Sequence, residues 1–146
     1  MQLEDIIPIS LLKYYMKLAE DLSKKGINQV KPPYVGAVVL DSNLNVIGTG
    51  YHGLVSGTSF TLHAEHMAIN NCLGRKPYIL ITTLLPCAPT SSYNNRRKSC
   101  CELILECGIP YVIYSNEDRN PHFRKNPTNF LKDRGIFVVN YTLKTF

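Results

Sequence analysis

Three stretches of this 146-residue chain carry side chains that can hold a metal or move a proton: "HAE" at 63–65, "LPC" at 85–87 and "SCCE" at 99–102. His63 and Glu65 lie two apart where helical spacing begins. Neighbours on one helix face are three or four apart, so the pair makes no sense as a helical ion pair. Cys87 follows Pro86 at the end of an apolar run, and Cys100 and Cys101 head a second helical stretch. Unpaired amides and partial positive charge at a helix N-terminus favour thiolate over thiol. One imidazole and two thiolates, from His63, Cys87 and one of Cys100 and Cys101, suit Zn²⁺ with its fourth position open to water. Zinc lowers the pKa of its water towards about 7. Glu65, beside the ion rather than on it, is then placed to take the water's proton and deliver it to a leaving amine.

The elements that must bring these residues together are legible as alternating patterns. "SLLKYYMKLAEDLSKKG" (10–26) has helical apolar spacing, with Ser10 as N-cap and Gly26 as terminator. "YVGAVVLD" (34–41) and "NVIGTGYH" (45–52) read as strands of a hairpin, followed by a loop. "LHAEHMAINNCLG" (62–74) reads as a helix closed by Gly74, and "PYILITTLL" (77–85) as a buried strand. A polar loop runs from Pro86 to Ser99, which caps the helix "CCELILECG" (100–108). "PYVIYS" (110–115) is a strand, "NPTNFLKDRG" (126–135) a short helix and "IFVVNYTL" (136–143) a last strand. This order implies one α/β domain over residues 1–146, with an antiparallel hairpin first and crossover helices afterwards.

Composition narrows the class. With 45% hydrophobic and 18% charged residues the chain reads as an ordinary soluble globular protein. No apolar run approaches the roughly 20 residues that span a bilayer, and the N-terminus lacks a secretory pattern. A cytoplasmic, reducing location is the expectation. There the five cysteines at 72, 87, 100, 101 and 107 are buried, metal-bound or catalytic rather than paired. Charge is uneven: residues 1–73 hold five Lys and six acids, whereas residues 74–146 hold eleven Lys/Arg and five acids. A basic second half suits an anionic partner, a nucleotide phosphate or nucleic acid.

"HAE" followed by "TTLLPC" and by a Cys opening a helix resembles the signature of zinc-dependent base deaminases, the cytidine deaminase-like superfamily. The resemblance runs from about Pro33 to Val139. "PYVGAVVLDSNLNVIGTGYH" looks like the first hairpin of these enzymes, and "LHAEHMAI" like the metal helix of the tRNA adenosine and fungal cytosine deaminases. "CELILECGIPYVIYSNEDRNPHF" and "FLKDRGIFVV" are more similar to the pyrimidine deaminase of riboflavin biosynthesis. The resemblance implies a three-layer α/β/α sandwich around a five-stranded mixed sheet, one Zn²⁺ per chain, and a homodimer or homotetramer. Fixed helix length before "ECGI" favours Cys100 over Cys101 as the third ligand. His52 stands where the family contacts a sugar or base edge, and backbone amides around Ala64 and Cys87 are expected to orient the ring.

The chain also departs from the family. Twelve residues, "APTSSYNNRRKS", separate Cys87 from Cys100, where two or about eight are usual. Ala88-Pro89 offers no histidine after the first Cys, and Pro32 replaces the expected Asn. Within the insert, Arg96 and Arg97 are expected to grip substrate phosphate, and Tyr93 offers a stacking surface. Cys72 and Cys107 read as core cysteines, His66 as a packing or rim residue, and His122 as a loop residue.

The leading expectation is hydrolytic removal of the exocyclic amine of a pyrimidine-type base, nucleoside or nucleotide, with Glu65 carrying the proton. The alternative is a nucleic-acid editing deaminase, acting on tRNA adenosine or on cytidine in RNA or DNA. A purely structural zinc protein is a third class, but such a site needs a fourth protein ligand and has no use for Glu65.

Overall fold

The computed structural model describes residues 1–88, 98–117 and 126–142. Helix α1 (Ile9–Ser23) buries Leu12, Met16, Ala19 and Leu22 at helical spacing. Pro8, not Ser10, occupies its N-cap, and a 3-10 turn over Lys24–Gly26 follows it. Strands β1 (Gly36–Leu40) and β2 (Val46–Tyr51) pair antiparallel. Asp41 closes the turn between them, its carboxylate accepting from the amides of Asn43 and Asn45.

The segment expected to be a plain loop after β2 contains a two-stranded ribbon, β3 (Gly53–Leu54) paired with β4 (Thr61–Leu62). Two-residue strands leave no periodicity to read, so this ribbon was invisible in the pattern. Helix α2 (Ala64–Asn70) is shorter than its sequence pattern, with Gly74 in a left-handed turn beyond it. Then come β5 (Ile79–Leu84), α3 (Cys100–Cys107), β6 (Tyr111–Asn116), α4 (Pro127–Lys132) and β7 (Phe137–Asn140).

The main sheet has the order β2-β1-β5-β6-β7, antiparallel across β2/β1/β5 and parallel across β5/β6/β7. Side chains alternate between its faces. Val38, Leu40, Ile79, Ile81 and Ile113 pack on α1. Ala37, Val39, Leu80, Val112 and Val138 pack with Ala64, Ala68, Cys101, Ile104 and Leu131 from α2, α3 and α4. The result is the expected three-layer α/β/α sandwich with a five-stranded mixed sheet.

One contact decides where α2 sits. A Cβ on Gly48 would collide with the Ala68 carbonyl, and one on Gly50 with the Ala64 carbonyl and the Ala68 amide. The two glycines let the helix backbone lie directly on β2, which sets the height of His63 and Glu65 over the sheet.

Candidate active site

His63 is the N-cap residue of α2, in extended conformation (φ −66°, ψ 156°), so its ring projects from the helix start. Cys87 lies just beyond β5, where the strand has passed Pro86. Cys100 is the first residue of α3, whose start is fixed by a capping box. The Ser99 hydroxyl accepts from the Glu102 amide at 3.2 Å, and Glu102 Oε1 accepts from the Ser99 amide at 3.1 Å. Three separate elements thus converge. His63 Nδ1 stands 3.4 Å from Cys100 Sγ and 3.6 Å from Cys87 Sγ, with all three donor atoms within 4.8 Å of one another.

Two backbone amides address Cys87. The Cys100 amide donates to its sulfur at 3.2 Å, and the Cys101 amide to its carbonyl at 3.0 Å. The Cys100 side chain, with help from His63 and the Cys100 amide, holds the Cys87 thiol well below the ordinary thiol range against its burial. The same contact with Cys87, then burial, pushes Cys100 above that range. The two sulfurs compete for a proton, which a cation between them would displace. An imidazole and two such sulfurs match the donor chemistry of zinc.

Glu65 points inward from the first turn of α2 and is only 4% exposed. Its Oε1 accepts from the Thr82 hydroxyl at 3.0 Å. Burial raises its pKa above the usual carboxylate range, opposed by hydrogen bonding with Cys100, the His63 charge and Thr82. A buried carboxyl whose pKa is raised binds a proton more readily than an exposed one. His52 meets His63 edge to face, ring centroids 5.3 Å apart. Its Nδ1 lies 3.0 Å from the Pro33 carbonyl; as the donor there, it leaves Nε2 to accept.

The structure therefore gathers His52, His63, Ala64, Glu65, Cys87 and Cys100 at one end of the sheet. It separates the two candidate third sulfurs: the Cys101 thiol, raised by burial, donates to the Pro86 carbonyl at 3.5 Å and faces the core. Cys72 and Cys107 belong to that same core. Arg96, Arg97, Tyr93 and His122 lie outside the described residues. Sequence reasoning missed Thr82; its one signal was a hydroxyl pair, Thr82-Thr83, within an otherwise apolar strand. It also missed that His66 reaches the Lys98 carbonyl, at 3.1 Å.

The arrangement can hold an ion through three protein atoms and keep a proton on a neighbouring carboxylate, the equipment of a metal-assisted hydrolase. Residues 9–116 match the family described as the cytidine and deoxycytidylate deaminase zinc-binding region. The chain belongs to this family of zinc-dependent hydrolytic deaminases, and the relatives it matches include pyrimidine deaminases.

Among its relatives, the diaminohydroxyphosphoribosylamino-pyrimidine deaminase of Buchnera aphidicola (from Acyrthosiphon pisum) is 33% identical over 126 residues, 86% of this chain and 80% of that protein. The crystal structure of the Thermotoga maritima diaminohydroxyphosphoribosylaminopyrimidine deaminase/5-amino-6-(5-phosphoribosylamino)uracil reductase superposes with a TM-score of 0.72 at 34% identity. It is matched over 90% of this chain, but the chain spans only 36% of that protein. The dCMP deaminase of cyanophage S-TIM5 gives a TM-score of 0.70 at 25% identity, over 97% of this chain and 100% of that one. Among the described residues, no helix is long and apolar enough to cross a membrane.

Proposed function

We propose that His63 Nδ1, Cys87 Sγ and Cys100 Sγ hold one zinc ion and that Glu65 is the catalytic proton carrier. The observation that carries the reading is the buried Glu65 carboxyl, held by Thr82 beside the His63–Cys87–Cys100 cluster. When bound, zinc supplies Lewis-acid chemistry that makes water nucleophilic at neutral pH. Glu65 takes one proton from the attacking water and delivers it to the exocyclic nitrogen. The ring carbon gains oxygen as its bond to nitrogen breaks, and ammonia leaves. The amides of Ala64 and Cys87 orient the polar edge of the ring, while His52 Nε2 accepts from a sugar or base-edge donor. Arg96 and Arg97 neutralise a substrate phosphate.

The substrate is a pyrimidine bearing a phosphorylated sugar-like arm. The activity of the Buchnera and Thermotoga proteins supports a phosphoribosylamino-pyrimidine. The full-length match to the cyanophage enzyme supports deoxycytidylate as a second candidate, and the loss of Asn at Pro32 and of His after Cys87 favours that second reading. A substrate within nucleic acid is supported by the basic second half of the chain. The whole of residues 1–146 forms one deaminase domain, which works as a homodimer or homotetramer in the cytoplasm; five free thiols suit a reducing compartment.

An ammonia-release assay on zinc-loaded protein tests the reading. The panel holds the phosphoribosylamino-pyrimidine, dCMP, cytidine, cytosine, and single-stranded RNA and DNA. Turnover of a mononucleotide, abolished by Glu65→Gln with zinc retained, is the expected result. Turnover confined to RNA or DNA would replace the small-molecule reading. Full activity in Glu65→Gln would overturn the mechanism.

A further inference from the structure

Twelve residues separate Cys87 from Cys100, so the chain on either side of them has to be held if the two sulfurs are to stay together. The base of the insert is tied at both sides. On the leading side, Ala88 is buried, and the Cys87 carbonyl accepts from the Cys101 amide at 3.0 Å. On the trailing side, Lys98 and Ser99 are held from three directions. The Lys98 ammonium pairs with Glu106 in the last turn of α3. Ser99 is locked in the capping box with Glu102. The Lys98 carbonyl meets His66 Nε2 at 3.1 Å, two residues before Cys100.

The His66 contact is the one of these three ties that comes from another helix. The other two join α3 to its own leader and travel with it. His66 lies one turn after His63 on α2, so its ring spans from the helix that presents the imidazole to the strand of chain that presents the second sulfur. We propose that His66 is a positioning residue, which fixes Cys100 Sγ relative to His63 Nδ1 by donating Nε2–H to the Lys98 carbonyl. The inference rests on the zinc-ligand reading given above. It assigns the residue a role distinct from the packing position that its spacing suggested.

The Lys98–Glu106 pair gives an internal contrast. Both side chains are more than half exposed, at 55% and 56%, where an ion pair contributes little. The His66 hydrogen bond is also solvent-accessible; what distinguishes it is that it joins two separate elements, α2 and the chain leading into α3, rather than α3 to itself.

The test is the rate at which zinc passes from the holoprotein to a chromophoric chelator, read with zinc stoichiometry and the melting temperature of the zinc-free chain. His66→Leu, which keeps the volume and removes the donor, is expected to release zinc about five- to tenfold faster, the loss of one net hydrogen bond. Its zinc-free melting temperature should stay close to that of the parent. His66→Gln restores a side-chain N–H and is expected to recover most of the retention. Glu106→Gln should change release by less than twofold.

Unchanged release in His66→Leu overturns the proposal. So does an equal fall in the stability of the zinc-free chain, which would make His66 a general packing residue. Cys100→Ser separates the two levels. If it still binds a full equivalent of zinc with parental retention, the ligand reading itself fails; if it loses zinc while His66→Leu is silent, only the positioning role falls.

Discussion

Gly50→Ala tests whether the approach of α2 to β2 sets the geometry of the reaction. A Cβ at residue 50 would stand 2.5 Å from the Ala68 amide nitrogen and 2.8 Å from Met67 Cβ, and would also run into the Ala64 carbonyl. Ordinary contacts need about 3.5 Å, so the first turns of α2 must lift by about 1 Å. The obstructing atoms are mostly backbone, so no side-chain rotation relieves them. Ala64 sits between His63 and Glu65, and the lift reaches both. Overpacking of this kind costs about 1–3 kcal/mol, or about 3–10 °C in a domain of this size. The rate should fall further than stability, because a misplacement of about 1 Å at a reacting centre can cost about 100-fold.

Gly48→Ala is the matched control. Its Cβ would meet the Ala68 carbonyl and Cys72 Sγ, one turn further from the site. A comparable loss of melting temperature with a smaller loss of kcat/KM is expected for it. Ammonia release on whichever substrate the parent turns over, with zinc content and thermal melts, reads both variants. A folded Gly50→Ala protein with kcat/KM within threefold of the parent would refute the reasoning, as would equal rate losses in the two variants.

Glu65→Gln should retain zinc and lose activity by a factor of about 10²–10⁴, read by metal analysis and initial rates. Cys100→Ser should lose zinc while Cys101→Ser keeps it and only melts lower, since the Cys101 thiol donates to Pro86 inside the core; the opposite pattern would exchange their roles. Thr82→Val removes a donor to the ionised Glu65 carboxylate. Burial already raises that pKa and Thr82 is one of the groups that oppose the rise, so the acidic limb of the pH–rate profile should move to higher pH in the variant. Chelation of zinc should lower the melting temperature and restoration should reverse it, because the three proposed ligands are brought together only by folding.

The apolar periodicities reported the layers well, because each long strand buries residues of both parities and α1 buries a stripe. Boundaries drifted where a local signal competed with context. Ser10 is a good N-cap by type, yet the chain enters α1 directly from Pro8. Ser99 was legible because its partner Glu102 lies within the same four residues. Thr82 and His66 were not legible, because their partners, Glu65 and the Lys98 carbonyl, lie 17 and 32 residues away. The choice between Cys100 and Cys101 had the same cause: adjacent residues at a helix start point in different directions, and spacing along the chain records no direction.

The chemistry of this protein is written locally. An imidazole, two thiols and a carboxylate at helix starts and a strand end carry their donor properties wherever they fold, and "HAE" with "LPC" and "SCCE" already points to zinc and to the proton carrier proposed above. The distances between them are not local. They follow from two glycines that let α2 lie on β2, from a threonine on the neighbouring face of β5, and from a histidine that reaches across to the base of the insert. Those contacts join residues far apart in the chain, so their geometry exists only once the sheet has brought the helices together.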